Sequence, residues 1–319
     1  MSSPVYLDHA ATTPVRDAVF EAMRPFFGAR FGNASSTHRW GREARAALDE
    51  ARERVACCIG ANVDEVVFTS GGTEADNLAV LGGWRMLKGR GRTALVGTTI
   101  EHKAVLGAMH QAAAEGAEER IVPVTRDGVV DLDALRTAID ANAALVSVMW
   151  VNNETGAIQP VPKLSAFAKE RGAVFHTDAV QAFGKIAIDA KTIPFDFLSL
   201  AGHKFGAPKG VGTMFVRRGT PLAPLFFGGT QDRGRRPGTE NVAMAVALAT
   251  AMELTLAEHE IECARIVALR NKLEAALTDR IPGIVIHAQR APRAPHITSL
   301  SIPGTDSESM LMALDLKGI

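Results

Sequence analysis

Cysteine is scarce in this sequence. Cys57, Cys58 and Cys263 are an odd set of three, which suggests no disulfide framework. Net charge is missing as well, because Lys plus Arg and Asp plus Glu both total 35. A balanced chain carries no global field that would draw nucleic acid or an anionic membrane. No stretch approaches the ~20 apolar residues of a membrane span. The opening MSSPVYLDHAATTP has neither the basic nor the apolar segment of a secretory signal. A cytoplasmic protein is therefore expected, without nucleic-acid or membrane partners and without a metal site.

What remains is ordinary globular composition, 47% hydrophobic and 22% charged. At 319 residues the chain is too long for one simple core, which suggests a large domain and a smaller one. Leu48, Ala51, Val55 and Cys58 follow helical spacing, so Cys58 is expected to line the core. Cys263, in another helical stretch, is read the same way.

Seven short runs read as strands: 65–70, 93–99, 119–124, 143–151, 173–178, 195–200 and 212–218. Most are continuously apolar, as expected when both faces of a sheet are covered. Helical patterns at 73–88, 101–115, 131–141 and 162–171 separate many of them. This order predicts an α/β fold with a mostly parallel seven-stranded sheet and helices on both faces. After Gly238 a long helical region leads to GIVIHA, HITSLSI and the helix SESMLMALDLKG, a smaller α+β unit. The expected divisions are an N-terminal segment 1–15 that packs with the small unit, a large domain 16–259 and a small domain 260–319. Ser307 reads as the cap of the last helix and Gly318 as the glycine that stops it. The chain ends where another strand is due, so the small domain is expected to be incomplete.

The informative polar residues fall at strand ends, where open α/β sheets bind ligands. VVFTSGGTEADN runs from a strand through Ser70, Gly71, Gly72 and Thr73 into a helix, an arrangement suited to an anion. It lacks the Lys-Ser/Thr of a nucleoside triphosphate loop. His102 follows the second run, and Asn152, Asn153 and Glu154 end the most apolar one. Asp178 and Gln181 follow a strand expected in the interior, where a carboxylate needs a cationic partner or several donors. Lys204, among the glycines of FLSLAGHKFGAPKGVG, closes the next strand, where its charge is costly to hide. A lysine, an acid and an anion cradle at neighbouring strand ends suit pyridoxal phosphate, which needs a Schiff-base lysine, an acid for its ring nitrogen and donors for its phosphate.

The stretches YLDHAATTP, FGNASSTH, FTSGGTEADN, EHKAV, VNNETGAIQP, HTDAVQAFGK, AGHKFGAPKGVG and RRPGTEN appear in one order along nearly the whole chain. In these the chain resembles the cysteine desulfurases of the NifS and IscS type, within the class-V aminotransferase branch of fold-type I pyridoxal-phosphate enzymes. The resemblance implies that Lys204 bonds the cofactor and moves the Cα proton, and that Asp178 pairs with the ring nitrogen. It implies that His102 stacks on the ring, and that Gln181 and Asn153 address its phenolic oxygen and the substrate side. Gly72, Thr73 and His203 would hold the phosphate, and Thr239 would reach the phosphate of a second subunit in a homodimer. The implied reaction takes sulfur from L-cysteine, leaves alanine, and passes the sulfur as a protein persulfide to an acceptor or Fe–S scaffold protein. Ala201 stands where some relatives have serine. The family's nucleophilic cysteine and its carboxylate-binding arginine are expected beyond Ile319, and none of the three cysteines present matches that motif. A selenocysteine lyase, an aminotransferase or an epimerase of the same fold remains open, as does an inactive fragment that serves as a dimerisation or binding partner.

Overall fold

The computed structural model describes residues 4–319. Each of the seven expected runs forms a strand of one sheet: β1 (Val66–Thr69), β2 (Ala94–Thr98), β3 (Glu118–Val122), β4 (Ala143–Ser147), β5 (Val174–Asp178), β6 (Phe197–Ala201) and β7 (Gly212–Val216). The order is β1-β7-β6-β5-β4-β2-β3. Only β7 runs against its neighbours, β1 and β6. Parallel pairing demands long crossovers, which the helices supply.

Strand residues alternate between two apolar clusters, one on each face. Val146 and Leu198 join Val55, Ile59, Phe175 and Leu248, whereas Leu145 and Phe197 join Trp84, Leu95 and Met109. Burial on both faces is why these runs are continuously apolar in sequence. The helices are α1 (Asp17–Met23), α2 (Arg39–Cys58), α3 (Gly72–Asn77), α4 (Gly83–Leu87), α5 (Lys103–Ala114), α6 (Leu132–Ala138), α7 (Val161–Glu170), α8 (Val242–Arg280) and α9 (Ser307–Asp315). The helix expected over 73–88 is α3 and α4 joined by a π-helical turn. Cys58 is half-buried and packs on the larger cluster, while Cys57 is exposed. The 143–151 run leaves the regular ladder after Ser147, yet Trp150 N–H still donates to Asp178 O at 2.9 Å. That bond holds the end of β4 beside the end of β5.

Helix α8 runs unbroken through residues 259–260, so the division expected there lies inside one helix. Among the described residues α8 alone is long and apolar enough to cross a membrane. Its first half is buried against α2 and α1. Beyond it, β8 (Val285–Ile286) and β9 (Leu300–Ser301) form an antiparallel pair. Asp306, not Ser307, caps α9, its carboxylate accepting the Ser309 N–H at 2.8 Å. A carboxylate one residue earlier reaches the same orphan donors and also favours the positive helix end. Gly318 ends the helix at φ +80, as expected. Val5 N–H donates to Gly318 O at 2.8 Å, tying the start of the described chain to its end.

One glycine fixes the turn after β1. A Cβ on Gly212 would lie 2.5 Å from Leu200 O and 2.8 Å from the Gly71 backbone, neither of which can swing aside. Gly212→Ala is expected to lower the unfolding free energy by ~1–3 kcal/mol in denaturant titrations. Gly107→Ala, in α5 with open space around it, is expected to raise it by about 0.5–1 kcal/mol.

Candidate active site

The carboxyl ends of β1, β2, β4, β5 and β6 meet at a cavity of about 340 Å³. Gly72, Thr73, His102, Asn153, Asp178, Gln181, His203 and Lys204 all line it. Thr239 does not. It borders a separate cavity with Ser70 and Arg236. The Arg236 guanidinium pairs with Glu74 at 2.9 Å, and Glu74 accepts the Ser70 N–H at 2.7 Å. The loop that carries Thr239 is thus fastened to the start of α3.

Lys204 sits in the short turn after β6. Its ammonium donates to the carbonyl oxygens of Ala10 and Ala11. Burial pushes its pKa down, while Asp178 and Asp8 act the other way. The chain around Ala10 is itself stitched to the lysine turn. The Thr13 N–H and hydroxyl both donate to His203 O, at 2.8 and 2.9 Å, and Arg16 N–H donates to Gly206 O at 3.0 Å. His203 contacts the Thr12 hydroxyl at 3.2 Å, and burial together with Lys204 lowers its pKa. Gln181 donates to Ala10 O at 2.8 Å and meets His296 Nε2 at 3.0 Å.

Asp178 ends β5, the middle strand, and is buried. Its Oδ1 accepts the Val180 N–H at 2.9 Å. Burial, followed by the neighbouring Asp76, pushes its pKa up to about 7. His102 caps α5, its Nδ1 accepting the Ala104 N–H at 3.1 Å. While that cap is in place Nδ1 bears no proton. Asp76, His102 and Asp178 bring side-chain oxygen and nitrogen atoms within 4.8 Å of one another. Carboxyls so placed, with the one lysine of the cavity held by backbone oxygens, leave room for a bound cation. The protonated ring nitrogen of pyridoxal phosphate fits that need, and an orphaned Asp76 Oδ1 marks it. At the other end of the cavity a Cβ on Gly72 would lie 2.9 Å from Val180 Cγ2, so the chain comes close without a side chain.

Several site residues escaped the reading of the sequence. Asp8 and the Ala10 and Ala11 carbonyls come from a segment far from Lys204 in sequence, and only the fold joins them. Asp76 lies three residues after Thr73, and that helical spacing is the signal that could have exposed it. Glu101 precedes His102 and is fully buried. It accepts the Thr98 hydroxyl at 2.6 Å and the Met149 N–H at 3.0 Å, and so ties the turn after β2 to the end of β4.

Burial pushes the Glu101 pKa up to about 8. The native state then holds a proton that the unfolded chain releases above its own value of ~4.3. This stabilisation is complete below the unfolded value and is lost as pH rises through the folded one. His176 and His296, pushed down by burial to about 4 and about 3, act oppositely. Their effect is spent above the unfolded histidine value of ~6.5. The ligand-free protein is therefore expected to lose stability from ~6.5 up to pH 8. Glu101→Gln should flatten that slope in denaturant unfolding at the two pH values.

The chain matches the class-V aminotransferase family over residues 5–319. It is 43% identical over 319 residues to the cysteine desulfurase IscS of Dictyoglomus turgidum, covering 100% of this chain and 81% of that protein. To a cysteine desulfurase of Sinorhizobium fredii it is 45% identical over 318 residues, 99% of this chain and 82% of the relative. Among solved structures, a NifS-like protein superposes with a TM-score of 0.95 at 37% identity, over 99% of this chain and 86% of that one. DndA from Streptomyces lividans follows with a TM-score of 0.86 at 37% identity, over 98% and 88%. Pyridoxal phosphate is the cofactor of this family and fold. A match along almost the whole chain, in sequence and in shape, means that this chain belongs to the class-V aminotransferases, beside their IscS and NifS-like members.

Proposed function

We propose that this protein is a pyridoxal-phosphate-dependent cysteine desulfurase that takes sulfur from L-cysteine, leaves L-alanine and hands the sulfur to an acceptor or Fe–S scaffold protein. The observation that carries this reading is the meeting of Lys204 and Asp178 in one cavity, from the adjacent strands β6 and β5. A neighbour in the same fold, SspA, was solved in complex with cysteine and superposes with a TM-score of 0.84 at 31% identity. The bound cofactor supplies an electron sink for the substrate carbon from which a proton is taken.

The chain's own residues do the rest. Burial favours the free amine of Lys204, the form that bonds an aldehyde and accepts the Cα proton. Asp178 would face the ring nitrogen and keep it protonated. His102, with Nδ1 committed to its cap, would lie against the ring. Gly72, Thr73 and His203 would hold the phosphate, and Asn153 and Gln181 would serve the phenolic oxygen and the substrate side. Among the described residues no cysteine lines the cavity, so Cys57, Cys58 and Cys263 are not assigned the sulfur.

In this reading Thr239 serves the phosphate of a second copy in a homodimer. Phe226 and Phe227, exposed on the same loop, support a face that a second copy covers. Residues 16–259 make up the cofactor domain, and 260–319 with the N-terminal 1–15 the small domain. The Val5–Gly318 hydrogen bond supports that grouping. The protein works in the cytoplasm, with soluble partners.

Lys204→Ala is expected to abolish the visible absorption that appears when pyridoxal phosphate is added, and with it exchange of the cysteine Cα proton. Asp178→Asn should keep cofactor binding but slow exchange of the cysteine Cα proton with solvent by roughly 10²-fold or more. Persistence of the absorption band in Lys204→Ala would overturn the reading.

A further inference from the structure

Asp76 lies on α3 beneath the end of β5, fully buried, and borders the same cavity as Asp178. Its Oδ1 is 3.5 Å from His176 Nε2 and makes no hydrogen bond. Side-chain oxygens of the two aspartates approach within 4.8 Å. The titratable groups facing the pair are His176 on β5, Glu101 and His102 in the turn after β2, Lys204 after β6 and Asp8 of the N-terminal segment. None neutralises the aspartates at hydrogen-bond range. His176 is held neutral by burial, its ring nitrogens meeting the Ser147 and Ser199 hydroxyls at 2.8 and 3.0 Å. Lys204 is engaged by Ala10 and Ala11.

Two buried carboxylates this close, without a cation, do not both ionise; the pair sheds its protons in two separated steps. The environments decide which proton leaves first. Asp178 has a backbone N–H on its carboxylate, whereas Asp76 has only the Ser199 hydroxyl beside its carboxyl and its Oδ1 is left without a hydrogen bond. We propose that Asp76 is a positioning residue: with Asp178 it forms a one-proton carboxyl pair, in which Asp76 keeps the proton and Asp178 is offered to the cavity as a single carboxylate. Resting on the pyridoxal-phosphate reading, this sets one negative charge against the one positive charge of the ring nitrogen, where two would leave an unbalanced buried anion.

The test uses the cofactor-free full chain carrying Glu101→Gln, which removes the carboxyl that burial pushes up to about 8. Protonated-carboxyl stretching is followed against pH by infrared spectroscopy. A carboxyl proton is expected to survive to about pH 7. It should be kept in Asp178→Asn, whereas in Asp76→Asn burial alone holds a proton on Asp178, so the signal should titrate at lower pH than in the parent. An unchanged titration in Asp76→Asn, or absence of the proton from the parent at neutral pH, would sink the proposal. Should Asp76→Asn not fold, ¹³C-labelled aspartates in the parent decide: Asp76 titrating above Asp178 supports the pair, and the reverse order overturns it. The cofactor reading has its own readout in the Lys204-dependent visible band. A parent that shows the proton but never the band would refute that reading and still support the pair.

Discussion

Asp178 sits at the end of the middle strand, with sheet on both sides and helices above and below. Water cannot reach such a position freely, so its charge must be answered by protein or ligand groups. Much of the site follows from that requirement. Lys204 comes from β6 on one side, and the β4 end stays close on the other through the Trp150–Asp178 bond. The turns after β1 and β2 bring glycines and His102 to the same rim. A parallel sheet makes this convergence automatic, because parallel neighbours end on the same side.

The same burial that makes the carboxyl costly makes it useful. A carboxyl in water pairs weakly with a cation, whereas one in a low-dielectric pocket holds its partner firmly and in one place. Lys204 shows the converse. Desolvation weakens its hold on a proton, and the backbone oxygens of Ala10 and Ala11 orient the amine without adding a formal charge. The N-terminal segment is therefore part of the chemistry's scaffold, although it lies in no regular element.

Much of this was legible in the sequence because the governing physics is local. Strands covered on both faces read as unbroken apolar runs, and the sharp polar punctuation after each of them marked Thr73, His102, Asp178 and Lys204. The rest depends on distant contacts. Nothing local marks Glu101 as buried, since its partners are Thr98 and the Met149 backbone. The continuity of α8 was hidden because its core-facing half and its more exposed half follow different patterns. Asp306 was passed over for Ser307 because both residue types cap helices and only geometry chooses between them.

The stitches between Thr13 and His203 join residues 190 positions apart. On a ribosome the first of these emerges long before the second exists. The leading segment must wait, unpaired, while most of the sheet is made and docked. The pocket that grips the reactive amine is thus among the last features to close during synthesis, and a polypeptide interrupted before His203 would already possess strands β1 to β6 with only the Gln181–Ala10 bond among these contacts to hold its own beginning.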